Sequence, residues 1–164
     1  GRDKMLEDVK AISSTAREVS QSMSEIVWAL HTQHDTLEGL LSYLREQVRE
    51  FLERINIRYE LHFPAEPGMI HLSGEQRRNI LLVIKEALNN VVKHSDANLV
   101  RLSCTHDASE ITFVVTDDGK GFDITKMEEQ GNGLRNMRKR MESMGGKMVI
   151  LQGKGTSVVF SMPL

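Results

Sequence analysis

A chain of 164 residues can bury one core and still carry an appendage beside it. With 40% apolar and 27% charged residues and a formal charge of -2, it offers no basic surface for nucleic acid or an anionic membrane. No apolar run approaches the roughly 20 residues that cross a bilayer, and no signal peptide opens the chain. The single cysteine, Cys104, can form no internal disulfide and has no partner at metal-ligand spacing, which reads as a buried structural thiol in a reducing compartment. The chain starts at Gly1 and enters a helical pattern at once, as a fragment of something longer would.

Met5, Val9, Ile12, Ala16, Val19, Met23, Ile26 and Leu30 alternate spacings of four and three. This heptad seam, free of glycine and proline, predicts a helix that must bury a narrow apolar stripe, either back on its own domain or in a parallel or bundled homodimer. Asp35 or Thr36 can cap a second helix running to about residue 54. Alternation predicts a strand over 57–63, stopped by Pro64 and Pro67. Ser73 precedes a helical pattern reaching His94, and strands follow at 98–105 and 110–116. A glycine-bearing loop leads to a helix over 133–144, closed by Gly145 and Gly146. Strands at 147–151 and 156–162, joined by Gly153-Lys154-Gly155, finish the chain. The expected class is α+β: a two-layer sandwich with helices on one face of a mixed, mostly antiparallel sheet, preceded by an N-terminal coiled-coil or bundle helix.

On the helix before His94, Ile80, Leu81, Ile84, Ala87, Leu88, Val91 and Val92 fall within an arc of about 140°, the expected core face. Glu86, Asn89, Asn90, Lys93 and His94 fall on the opposite side. That surface is either solvated or a ligand site; an asparagine oxygen and a carboxylate are hard donors suited to a Mg²⁺ that keeps its waters and bridges phosphates. Asp117-Asp118-Gly119-Lys120-Gly121 follows a strand directly. It is either a plain turn or a place where ligand and backbone approach closely, with a carboxylate able to accept from an exocyclic amine such as that of adenine. Gly131-Asn132-Gly133-Leu134 opens a helix whose free N–H groups could hold phosphate. Gly153-Lys154-Gly155-Thr156 is a further candidate that a hairpin turn would also explain.

The order of these four elements resembles the ATP-binding fold shared by sensor histidine kinases, gyrase, Hsp90 and MutL. The run from Glu86 to His94 is similar to the histidine-kinase N box, the run from Asp117 to Gly121 to the G1 box, and the run from Gly131 to Leu134 to the G2 box. The short stretch between the last two resembles the abbreviated ATP lid of nitrate-sensor-like kinases. The resemblance implies that Asn90 chelates Mg²⁺ and that Asp117 binds the adenine amino group. It implies that Lys93 and His94 approach the phosphates, that Gly119, Gly121, Gly131, Gly133 and Leu134 shape pocket and lid, and that Thr156 supports Asp117 through water. Glu86 stands where related ATPases keep a water-activating acid. Arg135, Arg138 and Arg140 read as an exposed charged face after the lid.

The same resemblance implies a homodimer through the seam over 5–30, with residues 1–34 as the second dimerisation helix and hinge and 35–164 as the catalytic domain. The γ-phosphate of ATP would pass to a histidine and on to a response-regulator receiver domain. His34-Asp35 offers a histidine with an acidic neighbour, but this stretch looks like the end of the second bundle helix, which sets the acceptor upstream rather than at His31 or His34. His62, His71 and His106 have no motif context and belong on loops or strands. The chain would be the cytoplasmic portion of a sensor, with any membrane attachment elsewhere in the parent. Rival readings are an anti-sigma-factor-type serine kinase or an ATPase of the same fold, or a non-catalytic dimerising scaffold.

Overall fold

The computed structural model describes residues 1–30 and 35–164. In chain order they form α1 (Arg2–Leu30), α2 (Leu37–Arg54), β1 (Arg58–His62), α3 (Gly74–His94), β2 (Leu99–His106) and β3 (Glu110–Asp117). They continue with α4 (Ile124–Gln130), α5 (Gly133–Ser143), β4 (Lys147–Gln152) and β5 (Thr156–Pro163). The five strands make one sheet in the order β1-β2-β3-β5-β4. Only β1 and β2 pair in parallel, and α3 is the crossover such a pair requires; the remaining ladders are antiparallel. The expected mixed, mostly antiparallel α+β sandwich is the observed one.

The helices start where the local chemistry stops the preceding chain. Thr36 caps α2, its hydroxyl accepting from Gly39 N–H at 3.1 Å. Ser73 and Gln76 form a reciprocal capping box on α3. Main-chain bonds from Leu37 N–H to Ile70 and from Leu72 N–H to Asp35 staple the start of α2 to the segment that leads into α3.

The core lies between the sheet and the layer of α2, α3 and α5. Strand β3 turns Ile111, Phe113, Val115 and then Asp117 inward at the period of two. Strand β5 does the same with Thr156, Val158, Phe160 and Met162. Each fully buried aliphatic or aromatic side chain in these rows stabilises the fold by about 1.5–3 kcal/mol. Cys104 belongs to the core, where burial pushes its thiol up to about 12, consistent with a structural role.

Three expectations need correction. Val92 is 40% exposed and leaves the core face, while Val83 is buried. Helix α3 in fact has two covered faces: besides the one on the sheet, Asn79, Val83, Glu86 and Asn90 form a stripe at i, i+4, i+7 and i+11 on which α5 lies. The side carrying Asn90 is therefore not an open surface, and Asn90 is only 6% exposed. Finally, the stretch expected as a loop after Gly121 contains α4, capped by the Asp123 carboxylate on Lys126 N–H.

Helix α1 meets the domain only through its last turns. Met5, Val9, Ile12, Val19 and Met23 of the seam are 54–69% exposed. The contact is made by the other side of the helix: Glu25 pairs with Lys85 at 3.1 Å, and Trp28 stacks on Tyr43 with ring centroids 4.1 Å apart.

Candidate functional site

Asp117 is the last inward rung of β3, which is why a carboxylate is only 4% exposed. The β3–β5 register sets Thr116 opposite Ser157, so Asp117 lies beside Thr156, itself 1% exposed. One carboxylate oxygen of Asp117 accepts from Gly119 N–H at 2.8 Å. The other, Oδ2, and the hydroxyl Oγ1 of Thr156 are buried without a hydrogen-bond partner. Two adjacent unsatisfied polar atoms at the end of a core are costly, about 1–3 kcal/mol each, unless a ligand or ordered water meets them. Burial raises the Asp117 carboxyl above its ordinary value, while the Gly119 amide, Ser95 and Thr156 pull it down.

Glycine is required around this carboxylate. A Cβ on Gly119 would collide with the Ser95 carbonyl, which accepts from Lys120 N–H at 2.8 Å, and one on Gly155 would collide with the Asp117 carbonyl. Gly121 stands at φ +82, the left-handed region. Asp118 anchors the turn from outside by accepting from Leu99 N–H and Asn98 N–H at 2.9 and 2.8 Å. Those bonds hold its carboxyl below the usual carboxylate range.

Beside the turn opens a cleft of about 890 Å³ lined by Lys93, His94, Lys120, Gly121, Phe122 and Lys126 among others. Four of its walls are basic or imidazole groups; Lys120 pairs with Asp96 at 2.8 Å and Lys126 with Asp123, also in the lining, at 3.9 Å. Phe122 sits at its back, 5% exposed, its ring edge-on to His94 at 6.2 Å. The Phe122 carbonyl accepts from Gln152 Nε2, which ties the turn to the end of β4.

The structure thus brings Asp117, Gly119, Gly121 and Thr156 together, and sets Lys93 and His94 on the adjoining cleft. Asn90 lies under α5, where its amide nitrogen has the Met137 thioether as partner at 4.0 Å. Gly133 abuts the Glu86 carboxylate, and Asn132 leaves the α5 start without a side-chain cap. Leu134 is a core residue at 3% exposure, and Gly131 stands clear of its surroundings, so neither lines the cleft. Of the arginines, Arg135 is exposed, Arg138 reaches Glu128 of α4 at 2.9 Å, and Arg140 donates to the buried Asn79 at 3.2 Å. His62 lies in β1, His106 ends β2 and His71 precedes α3, none of them at the cleft. His31 and His34 lie outside the described residues.

Sequence reading missed Ser95, Phe122, Gln152 and Met137, which left no motif signal, while Asp118 and Gly155 stood inside candidate motifs without a role of their own. Among the described residues no three His, Cys, Asp or Glu side chains converge as a metal cage.

A family model described as Histidine kinase-, DNA gyrase B-, and HSP90-like ATPase matches residues 75–164. The sensor histidine kinase LiaS of Bacillus subtilis is 26% identical over 164 residues, covering 99% of this chain and 44% of LiaS. The chain thus spans less than half the length of that relative. Among solved structures, the histidine kinase domain of the blue-light activated kinase from Erythrobacter litoralis EL346 superposes with a TM-score of 0.66 at 22% identity, covering 98% of this chain and 84% of that one. Full-length ShkA in complex with AMPPNP gives 0.67 at 18% identity, over 94% of this chain and 38% of ShkA. These likenesses establish the fold.

Proposed function

The chain belongs to the histidine kinase-, DNA gyrase B- and HSP90-like ATPase family, and from that premise we propose that it is the Mg-ATP-binding catalytic portion of a two-component sensor histidine kinase of the short-lid, nitrate-sensor-like kind. The observation that carries the reading is the pair of buried, unsatisfied acceptors, Asp117 Oδ2 and Thr156 Oγ1, in a cradle where no side chain fits at Gly119 or Gly155. A carboxylate oxygen matches an exocyclic amine, and a hydroxyl matches a bridging water beside it. The sequence relation to a sensor kinase over the whole chain supports histidine as acceptor.

In this reading Asp117 fixes the adenine, and Lys93, His94 and the start of α5 bind the phosphates. Asn90 would hold the Mg²⁺ through its amide oxygen. Bound Mg²⁺ supplies charge neutralisation on the phosphates. This chain's own residues contribute position rather than covalent chemistry. Glu86 of α3, whose carboxylate abuts Gly133 at the start of α5, orients the attacking group. Residues 1–34 are the second dimerisation helix and hinge, 35–164 the catalytic domain, and the seam makes a homodimer. The γ-phosphate goes to a histidine and on to a receiver aspartate. No described helix is long and apolar enough to cross a membrane; the domain would work on the cytoplasmic side of its sensor.

Thermal stabilisation by ATP and ADP, with and without Mg²⁺, tests this. A ligand at 100 times its dissociation constant adds about 2.7 kcal/mol of stability. Wild type should shift, Asp117→Asn should not, and Asn90→Ala should lose only the magnesium dependence. No shift in wild type with any nucleotide would favour the dimerising scaffold.

A further inference from the structure

Ser95 stands where the end of α3 meets the turn after β3, and it is fully buried at 0% exposure. Its main chain and its side chain are engaged separately. The carbonyl accepts from Lys120 N–H at 2.8 Å, which fastens the turn to the helix. The hydroxyl donates back to the Val91 carbonyl at 2.9 Å, a bond that serines make readily within a helical turn. That carbonyl already accepts from Ser95 N–H at 3.1 Å, so the hydroxyl can leave it without stranding an acceptor. The side chain also lies against the turn. Ser95 Cβ would stand 2.8 Å from a Cβ placed on Gly119, whose own N–H donates to Asp117 Oδ1 at 2.8 Å. A hydroxyl with a dispensable bond is therefore set beside a buried carboxylate with an unmet oxygen.

We propose that Ser95 is the positioning residue of this carboxylate: its hydroxyl turns from Val91 to Asp117 and holds it ionised and aimed at an incoming amine. What the carboxylate recognises rests on the nucleotide reading above, whereas the contact itself does not. Protonation would turn one carboxylate oxygen into a donor and remove the charge that strengthens a bond to an amine, so recognition favours the ionised form. Burial works against that form, and Gly119 N–H, the Ser95 hydroxyl and Thr156 N–H work for it. Of these three donors only the hydroxyl belongs to a side chain, so only it can be removed with the main chain left in place. The charged groups around the carboxylate are Asp118 on the same turn, which opposes ionisation, and Lys93, His94 and Lys120 on the adjoining cleft.

Ser95→Ala deletes the hydroxyl and keeps the carbonyl that holds Lys120. Melts of the nucleotide-free chain from acid to neutral pH should compare wild type, Ser95→Ala, Asp117→Asn and the double variant. Without the hydroxyl the folded carboxyl keeps its proton to higher pH. Ser95→Ala should therefore carry the loss of stability with rising pH upward by roughly one pH unit, as losing one hydrogen bond to an ionised group would. In the Asp117→Asn background the same substitution should cost an equal amount at every pH. A cost independent of pH in both backgrounds would mark Ser95 as a packing residue and overturn the proposal. ATP affinity over the same range gives the second readout. Ser95→Ala should lose affinity at a higher pH than wild type, and the two should converge at alkaline pH. The ionisation of ATP itself is common to both and cancels in the comparison. An acid limb at the same pH in both would overturn the proposal. Absence of binding in every form would contradict the nucleotide reading, while pH-dependent coupling in the melts would still establish the contact between Ser95 and Asp117.

Discussion

Asp117 owes its chemistry to its rung. The alternation that buries Ile111, Phe113 and Val115 carries the next inward position into the same layer, and there the chain places a carboxylate. Its folded-state pKa is raised, so the folded chain holds a proton that the unfolded chain has already released. Stability therefore falls as pH rises from the unfolded value through the folded one, and above it the ionised carboxylate is a standing cost. Asp117→Asn should accordingly raise the melting temperature of the nucleotide-free chain at neutral pH and flatten its decline from acid to neutral, as melts across that range would show. Gly119→Ala acts oppositely. Its methyl meets the Ser95 carbonyl, backbone against backbone, so denaturant unfolding should show a loss of about 1–3 kcal/mol. The Asp117 side of this was legible in the sequence, as an acid directly after an alternating strand. The Ser95 side was not, because nothing in a serine at a helix end says that its carbonyl will crowd a glycine 24 positions away.

At the scale of elements, α1 is the piece whose partner is missing from its own domain. Seam residues at 54–69% exposure leave a long apolar stripe in water, and such stripes are covered by other helices. Sedimentation should find the chain self-associating, and Val19→Glu with Met23→Glu should return it to monomer without loss of ATP binding. The heptad spacing announced this helix plainly. Helix α3 was legible only by half: a single arc describes a helix lying on one surface, but α3 is held between the sheet and α5, so Asn79 and Asn90 are buried by a neighbour that the local pattern does not reveal. Helix α4 escaped notice because its apolar content is little more than Ile124 and Met127, too few for a periodic signal, although Asp123 is a proper cap.

Across the whole molecule, the sheet supplies the buried Asp117 and Thr156 and α3 supplies Lys93 and His94, with α4 along the cleft and α5 packed on α3. Arg138 to Glu128 ties α5 to α4, Arg140 to Asn79 ties α5 to α3, and Asn90 lies beneath Met137 of α5. Motif order pointed to the Asp117–Thr156 cradle and to Lys93 and His94 on the adjoining cleft; that Asn90 lies under α5 and that Gly131 and Leu134 stand off the cleft depends on contacts between elements that no single motif records. The central claim is that Asp117 Oδ2 recognises an exocyclic amine. Direct titration of ATP against ITP, which carries a carbonyl where ATP carries that amine, tests it most directly. A hydrogen bond to a charged group contributes about 1.5–3 kcal/mol, so ATP should bind roughly 10–100 times more tightly than ITP. Equal affinities would contradict the account, because no carboxylate would then be reading the base.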